Sequence, residues 1–178
     1  AFQINNARYL INTANPFNCI SVAFQIKKMK PDLVIFQWWH PYFSPCYWII
    51  EKILGKQIKV MFLCHNVFPH ERFPMDRFLC KQVLKLGDYF ITQSSMDTKN
   101  LLSIKEDAKY VQTVHPTYNA FKMKNLSRKE ARSLLSIPDD EKVLLFFGFV
   151  RKYKGLKHII NALPAITEQI PDVKLYIV

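Results

Sequence analysis

The chain has 178 residues, of which 49% are hydrophobic, and its formal net charge is +11. A hydrophobic content this high predicts a folded core and excludes a disordered chain. The longest apolar runs cover residues 46–50 and 143–147, and both are too short to cross a bilayer as a helix. The chain lacks an initiator Met and ends inside an apolar run, so we expect both ends to be cut from a longer polypeptide.

Strand and helix signals alternate along the first two thirds of the chain. A loop containing Pro16 leads into the first helix, and Ser44 and Ser95 are typical N-caps for the second and fourth helices. Gly55 and Gly87 end the second and third helices. The predicted helices are 20–29, 44–54, 74–86 and 95–103, and the predicted strands are 33–36, 58–63, 89–92 and 110–114.

Fully apolar strands that alternate with helices predict a parallel sheet with helices on both faces. The alternation stops at residues 115–124, which are typical of a linker. It resumes with a capping box at Ser127 and Glu130, followed by a strand at 143–147, a helix at 156–169 and a strand at 173–178. We therefore predict an α/β chain with two Rossmann-like parallel-sheet domains, 1–120 and 121–178, both incomplete.

A basic loop between a strand and a helix is the strongest local motif. The strand ends at Gly148, the loop carries Arg151 and Lys154, and Gly155 opens the helix. A helix N-terminus and two side-chain cations directed at one point favour a diphosphate ligand. The alternative is a basic loop that is merely solvated.

His65 directly follows the apolar run 58–64, at the end where open α/β sheets bind their ligands. The alternative for His65 is a loop histidine whose ring is hydrogen-bonded only to the backbone. Asn66, His70, Glu71 and His115 are further candidates for lining that cleft. His70 and Glu71 have the alternative of anchoring their loop by a structural hydrogen bond, and His115 that of capping its strand.

Several segments resemble, in the right order, those of family 4 glycosyltransferases, which have the GT-B fold. The resemblance covers nearly the whole chain, and the ordered set is more specific than any single piece. The segments that carry it are 30–39, 62–71, 87–92, 114–118 and 143–156.

The resemblance implies a retaining glycosyltransferase of the hexosyltransferase class, with a nucleotide-diphosphate sugar as donor. It assigns donor-diphosphate binding to Arg151, Lys154 and Gly148, and a catalytic role at the donor sugar to His65. The family commonly has Arg where this chain has Phe149, so Arg151 is expected to serve from a shifted position. The family's N-terminal glycine-rich loop and its E-x7-E segment would lie outside residues 1–178, so we expect the isolated chain to be inactive.

The charge distribution and the cysteines indicate which kinds of partner and ligand the chain is expected to bind. Residues 1–60 and 121–178 each carry a net charge of +5, which attracts phosphorylated substrates or an anionic membrane, unless the lysines are simply solvated. No nucleic-acid motif is present, and the spacing around Cys64 and His65 matches no common zinc site. The four cysteines are typical of reduced core residues in a cytoplasmic protein. We expect no metal and no cofactor.

The aromatic run at residues 38–43 is either core packing or a platform for an acceptor or lipid. The expected acceptor is a glycan or a lipid-linked molecule in polysaccharide or envelope glycan synthesis, and the enzyme is expected in the cytoplasm or peripherally on the inner membrane face. Two alternatives remain open at this point. One is a non-catalytic nucleotide- or carbohydrate-binding module, and the other is an epimerase- or phosphorylase-like enzyme on the same fold.

Overall fold

A computed structural model describes residues 7–117 and 125–178. The chain divides into two compact units, Ala1–Pro116 and Thr117–Val178. The predicted linker falls at this division, although its residues 118–124 lie outside the described part. Each unit has its own parallel sheet, which confirms the expected α/β fold with two Rossmann-like sheets.

The first unit is a four-stranded parallel sheet with the strand order β1-β2-β3-β4. A helix precedes β1, and one helix connects each strand to the next. The elements are α1 (Pro16–Met29), β1 (Leu33–Trp38), α2 (Ser44–Leu54), β2 (Lys59–Cys64), α3 (Asp76–Leu84), β3 (Tyr89–Thr92), α4 (Ser95–Ile104) and β4 (Lys109–Gln112).

The helix starts differ from the predicted ones for local reasons. α1 begins at Pro16 because the side chain of Asn15 accepts hydrogen bonds from the backbone N–H groups of Phe17 and Asn18. The prediction of a loop at Pro16 was therefore wrong. α4 is capped by Ser94 instead of Ser95, since the Ser94 hydroxyl accepts from the backbone N–H of Asp97.

The predicted N-cap at Ser44 was also wrong. A short 3₁₀ turn, Pro41–Phe43, leads directly into α2, and His40 caps that turn by accepting from the backbone N–H of Tyr42. Ser44 consequently has helical backbone angles, and its buried hydroxyl has no hydrogen-bond partner among the described residues.

Burial alternates along β1, β2 and β3, whereas all four residues of β4 are exposed. Phe36, Phe62 and Phe90 lie opposite one another in the register and are buried, with ring centroids 5.5 and 5.9 Å apart. Residues on the other face, such as Ile35 and Val111, are exposed. The expectation of helices on both faces is therefore wrong for the described residues. Strands joined in consecutive order by right-handed crossovers place their helices on one face, because the order never reverses.

Gly87 precedes β3 at a point where the backbone passes close to the phenylalanine row. A methyl group at Gly87 would lie 2.7 Å from the ring of Phe62 and 2.9 Å from that of Phe90. Gly55, in contrast, has a φ of +67° at the end of α2. The predicted helix-ending role fits Gly55, whereas Gly87 is required by close packing.

The second unit has two parallel strands and two helices. They are α5 (Arg128–Leu134), β5 (Lys142–Phe146), α6 (Leu156–Gln169) and β6 (Val173–Ile177). The predicted capping box is present, with Ser127 and Glu130 each accepting from the other's backbone N–H. Glu141, just before β5, is buried and accepts hydrogen bonds from Lys174 and Tyr176 of β6, which ties the two strands together at their start.

Candidate functional site

Three polar side chains meet at the carboxyl end of the first sheet. Nε2 of His65 lies 2.7 Å from Oε1 of Gln37, and Nδ1 lies 3.1 Å from Oε1 of Gln93. His65 extends the ladder beyond β2, since its backbone N–H donates to the carbonyl of Trp38 at 2.8 Å. The ring is thus held between side chains that come from the two neighbouring strands.

The segment that follows His65 is held by hydrogen bonds to the backbone N–H and the backbone carbonyl of Val67. The indole N–H of Trp38 donates to the Val67 carbonyl at 3.2 Å, and the Val67 N–H donates to a carboxylate oxygen of Asp97 at 2.8 Å. The other carboxylate oxygen of Asp97 accepts from the hydroxyl of Ser94 at 2.6 Å. Val67 is fully buried, so the backbone carrying His65 is fixed to both β1 and the start of α4.

A cavity of about 530 Å³ opens beside His65. It brings together four of the predicted site residues: His65, Asn66, His70 and His115. The rings of His65 and His115 have centroids 6.3 Å apart. Glu71 is exposed and does not line this cavity. Its role as a cleft residue stays a prediction.

Two arginines add positive charge to the same cavity. Arg72 is paired with the buried carboxylate of Asp76, and one of its Nη–Oδ distances is 2.7 Å. The Arg72 side chain holds the pKa of Asp76 below its usual value. The guanidinium of Arg77 lies over the ring of Phe68, 5.5 Å from its centroid. The cavity therefore combines guanidinium, amide and imidazole groups with the carboxylate of Asp97, which suits a polar, oxygen-rich ligand.

The basic loop of the second unit has the strand–loop–helix order that its sequence predicts, and its role in binding a diphosphate stays a prediction. Gly148 follows β5 with a φ of +106°, and a methyl group there would come within 2.7 Å of Nζ of Lys154. Lys154 ends a 3₁₀ turn, Lys152–Lys154, and α6 begins after Gly155. The exposed Arg151 precedes that turn, and its carbonyl accepts from the backbone N–H of Lys154. The ammonium group, the strand end and a helix N-terminus thus lie close together.

Gln37, Gln93 and Asp97 were not anticipated from the sequence. A signal for both glutamines was available, because each stands at the end of a predicted apolar strand, as His65 does. Asp97 carried no comparable signal, since a carboxylate in the first turn of a helix is usual there.

The aromatic run at 38–43 is partly buried and partly exposed. Trp38 is fully buried in the core, which supports the packing interpretation for that residue. Trp39 and Tyr42 are each 56% exposed, so part of the run lies on the surface. All four cysteines are free and buried.

The architecture places the chain among α/β proteins of the GT-B fold type. The resemblance to glycosyltransferases is supported by a similar curated protein, the D-inositol 3-phosphate glycosyltransferase of a Nocardioides species. The two are 26% identical over 95 residues, which is 53% of this chain and 21% of that protein. No protein-family model matches the chain.

A solved structure with a similar fold is the UDP-GlcNAc 2-epimerase from Neisseria meningitidis, bound to UDP-GlcNAc. The TM-score is 0.57 at 16% sequence identity, and the match covers 97% of this chain and 50% of the epimerase chain. The chain thus spans about a fifth of the length of the curated relative and half of that of the solved structure. At 16% identity the structural likeness shows the fold alone.

The described residues contain no helix long and apolar enough to cross a membrane. Within the same residues, no group of three or more His, Cys, Asp or Glu side chains is placed to hold a metal ion.

Proposed function

We propose that the protein is a retaining glycosyltransferase that moves a sugar from a nucleotide-diphosphate donor to a glycan or lipid-linked acceptor in polysaccharide or envelope glycan synthesis. In the reaction, the bond between the anomeric carbon and the diphosphate oxygen breaks, the oxygen of an acceptor hydroxyl bonds to the anomeric carbon, and the hydroxyl proton passes to the leaving diphosphate. The negative charge that develops on the leaving diphosphate must be stabilised by fixed positive groups.

The observation that carries this proposal is the position of Lys154 against Gly148. The ammonium group lies at the end of β5, close to the start of α6, where the partial positive charge of the helix adds to its own. Arg151, in the same loop, supplies a second cation. On this proposal Arg151 and Lys154 bind the diphosphate without a metal or cofactor, and His65 positions the donor sugar.

The proposal predicts that Lys154→Ala weakens the binding of nucleoside diphosphates to the full-length protein. Loss of one charge-assisted contact costs about 2 kcal/mol, which is roughly a thirtyfold rise in Kd. Isothermal titration calorimetry with UDP and GDP measures this change. Lys129→Ala, which removes an exposed lysine of α5, is the matched control and should leave Kd within twofold. Equal affinities for the wild type and the Lys154 variant would refute the diphosphate site.

An epimerase is the second candidate, because the solved neighbour with a similar fold is one. The two activities give different products from the same substrate. We would incubate the full-length protein with UDP-GlcNAc and with other nucleotide sugars, with and without glycan acceptors. Release of nucleoside diphosphate only when an acceptor is present favours transfer, and appearance of an epimeric sugar without acceptor favours the alternative.

We also propose that the protein works in the cytoplasm and binds peripherally to the inner membrane face. The support is the net charge of +5 in residues 1–60 together with the exposed rings of Trp39 and Tyr42. Binding to lipid vesicles is the measurement that tests it.

A further inference from the structure

The imidazole of His65 has a hydrogen-bonding partner at each of its nitrogens. Gln37 lies 2.7 Å from Nε2 and Gln93 lies 3.1 Å from Nδ1. Both contacts are to amide oxygens, and a neutral imidazole carries one N–H, so the ring donates to one of these oxygens. The other glutamine contacts the second ring nitrogen as a donor once its amide is turned so that the NH₂ group faces the ring. In either arrangement both ring nitrogens are occupied, and the plane of the ring is fixed.

The strand register explains why these side chains meet. Cys64 lies opposite Thr92, so the next residues along, His65 and Gln93, are neighbours. Gln37 lies opposite Leu63, two residues before His65. Side chains two apart in a strand point to the same face, so all three groups share the face of the sheet that is opposite the buried phenylalanines. The cluster is therefore a product of regular sheet geometry.

A histidine with two occupied nitrogens cannot also donate to a sugar hydroxyl. One of the two glutamines must leave before a ligand can bind to the ring. Gln37 is exposed and its contact with Nε2 is at the surface, whereas Gln93 is half-buried and so is its contact with Nδ1. Gln37 is the side chain with room to turn into solvent.

We propose that Gln93 and Gln37 are positioning residues for His65 with different tasks. Gln93 holds the ring through Nδ1 throughout, and Gln37 occupies Nε2 until a sugar hydroxyl of the ligand replaces it. The inference rests on the proposed function, since it takes His65 as the group that contacts the donor sugar. A ring held in place before the ligand arrives loses little freedom on binding, which is the benefit of preorganisation.

Substitutions of the two glutamines should then change the affinity for the ligand in opposite directions. Gln93→Leu frees the ring and lowers the affinity for UDP-GlcNAc by about tenfold, as expected for loss of one half-buried hydrogen bond. Gln37→Leu removes the group that competes for Nε2 and raises the affinity by about threefold. Calorimetry on the full-length protein measures both, with Gln25→Leu on the exposed side of α1 as the control. Equal losses from the two variants would overturn the assignment of tasks.

Nitrogen-15 NMR of the histidine side chains provides a readout that does not depend on catalysis. Gln93→Leu should shift the Nδ1 resonance of His65, and Gln37→Leu should shift Nε2. Titration of the wild type with UDP-GlcNAc should move Nε2 and leave Nδ1 in place. If the His65 resonances are unchanged in both variants, the positioning role of the two glutamines is disproved, and the proposed glycosyltransferase function is not contradicted. A protein that binds no nucleotide sugar, yet shows both variant shifts, would overturn the proposed function and the displacement while leaving the two contacts established.

Discussion

At the scale of single residues, Gly87 shows how closely the first core is packed. An added methyl group would meet Phe62 and Phe90, whose stacked rings are almost completely buried and have nowhere to move. Overpacking of this kind costs about 2 kcal/mol, so Gly87→Ala should lower the free energy of unfolding by that amount. Chemical denaturation of the full-length protein measures it. Combining the change with Phe62→Leu should reduce the penalty, and a penalty independent of Phe62 would argue against a steric cause.

Glu51, on α2, makes stability depend on pH. Its carboxyl group is buried, neither oxygen has a hydrogen-bond partner among the described residues, and burial raises its pKa from 4.5 to about 9. The folded protein thus keeps a proton that the unfolded chain releases above pH 4.5, so stability falls as the pH rises from 4.5 towards 9. Glu51→Gln removes this dependence and should stabilise the fold on the order of 3 kcal/mol at pH 7.5.

Thermal unfolding of the wild type and the Glu51 variant from pH 5 to pH 8.5 tests this. The difference between the two melting temperatures should be small at pH 5 and grow steadily with pH. A constant difference across the range would mean that Glu51 does not titrate as its burial implies.

At the scale of elements, the sequence predicted most accurately what local chemistry specifies. The helix Leu156–Gln169 and the capping box at Ser127 were both correct, because the signals lie within a few residues of the feature. The start of α1 had an equally local signal in Asn15 followed by Pro16, and it was misassigned to a loop. The prediction of where α2 starts failed for another reason. The 3₁₀ turn before α2 depends on His40, which lies four residues earlier than the expected cap.

The candidate site likewise has one part that local sequence predicts and another part that depends on tertiary structure. Gly148 and Lys154 lie in one short loop, and the strand–loop–helix order of that loop was predicted from residues close in sequence. The contact of His65 with Gln37 and Gln93 spans 28 residues in each direction. It depends on which strands are neighbours and on their register, and neither is specified by the residues on a single strand. The cavity-lining role of Arg72 and Arg77 likewise depends on how the segment after β2 folds back.

At the scale of the whole molecule, the charge distribution predicts reversible binding to anionic bilayers. Each Lys or Arg near such a surface contributes about 1 kcal/mol, so a few clustered residues are enough for weak attachment. The full-length protein should co-sediment with phosphatidylglycerol vesicles at low salt and much less at 0.5 M NaCl, because the Debye length falls below about 8 Å. Replacing both Trp39 and Tyr42 by Ala should weaken the attachment.

Phosphatidylcholine vesicles are the control for this measurement. Equal binding to neutral and anionic vesicles, or no binding to either at low salt, would contradict the membrane proposal and leave the glycosyltransferase proposal untouched.

The distribution of cysteines gives the molecule a built-in reporter. All four thiols are buried in the first unit, and the second unit contains no cysteine. Burial raises the pKa values of Cys46, Cys64 and Cys80 to about 12, so little reactive thiolate is present while the core is closed. Labelling of these four thiols with a chromogenic disulfide reagent therefore requires the first unit to open, and within residues 1–178 no thiol responds to opening of the second. Ligands specific to either unit can be told apart by whether they slow that labelling.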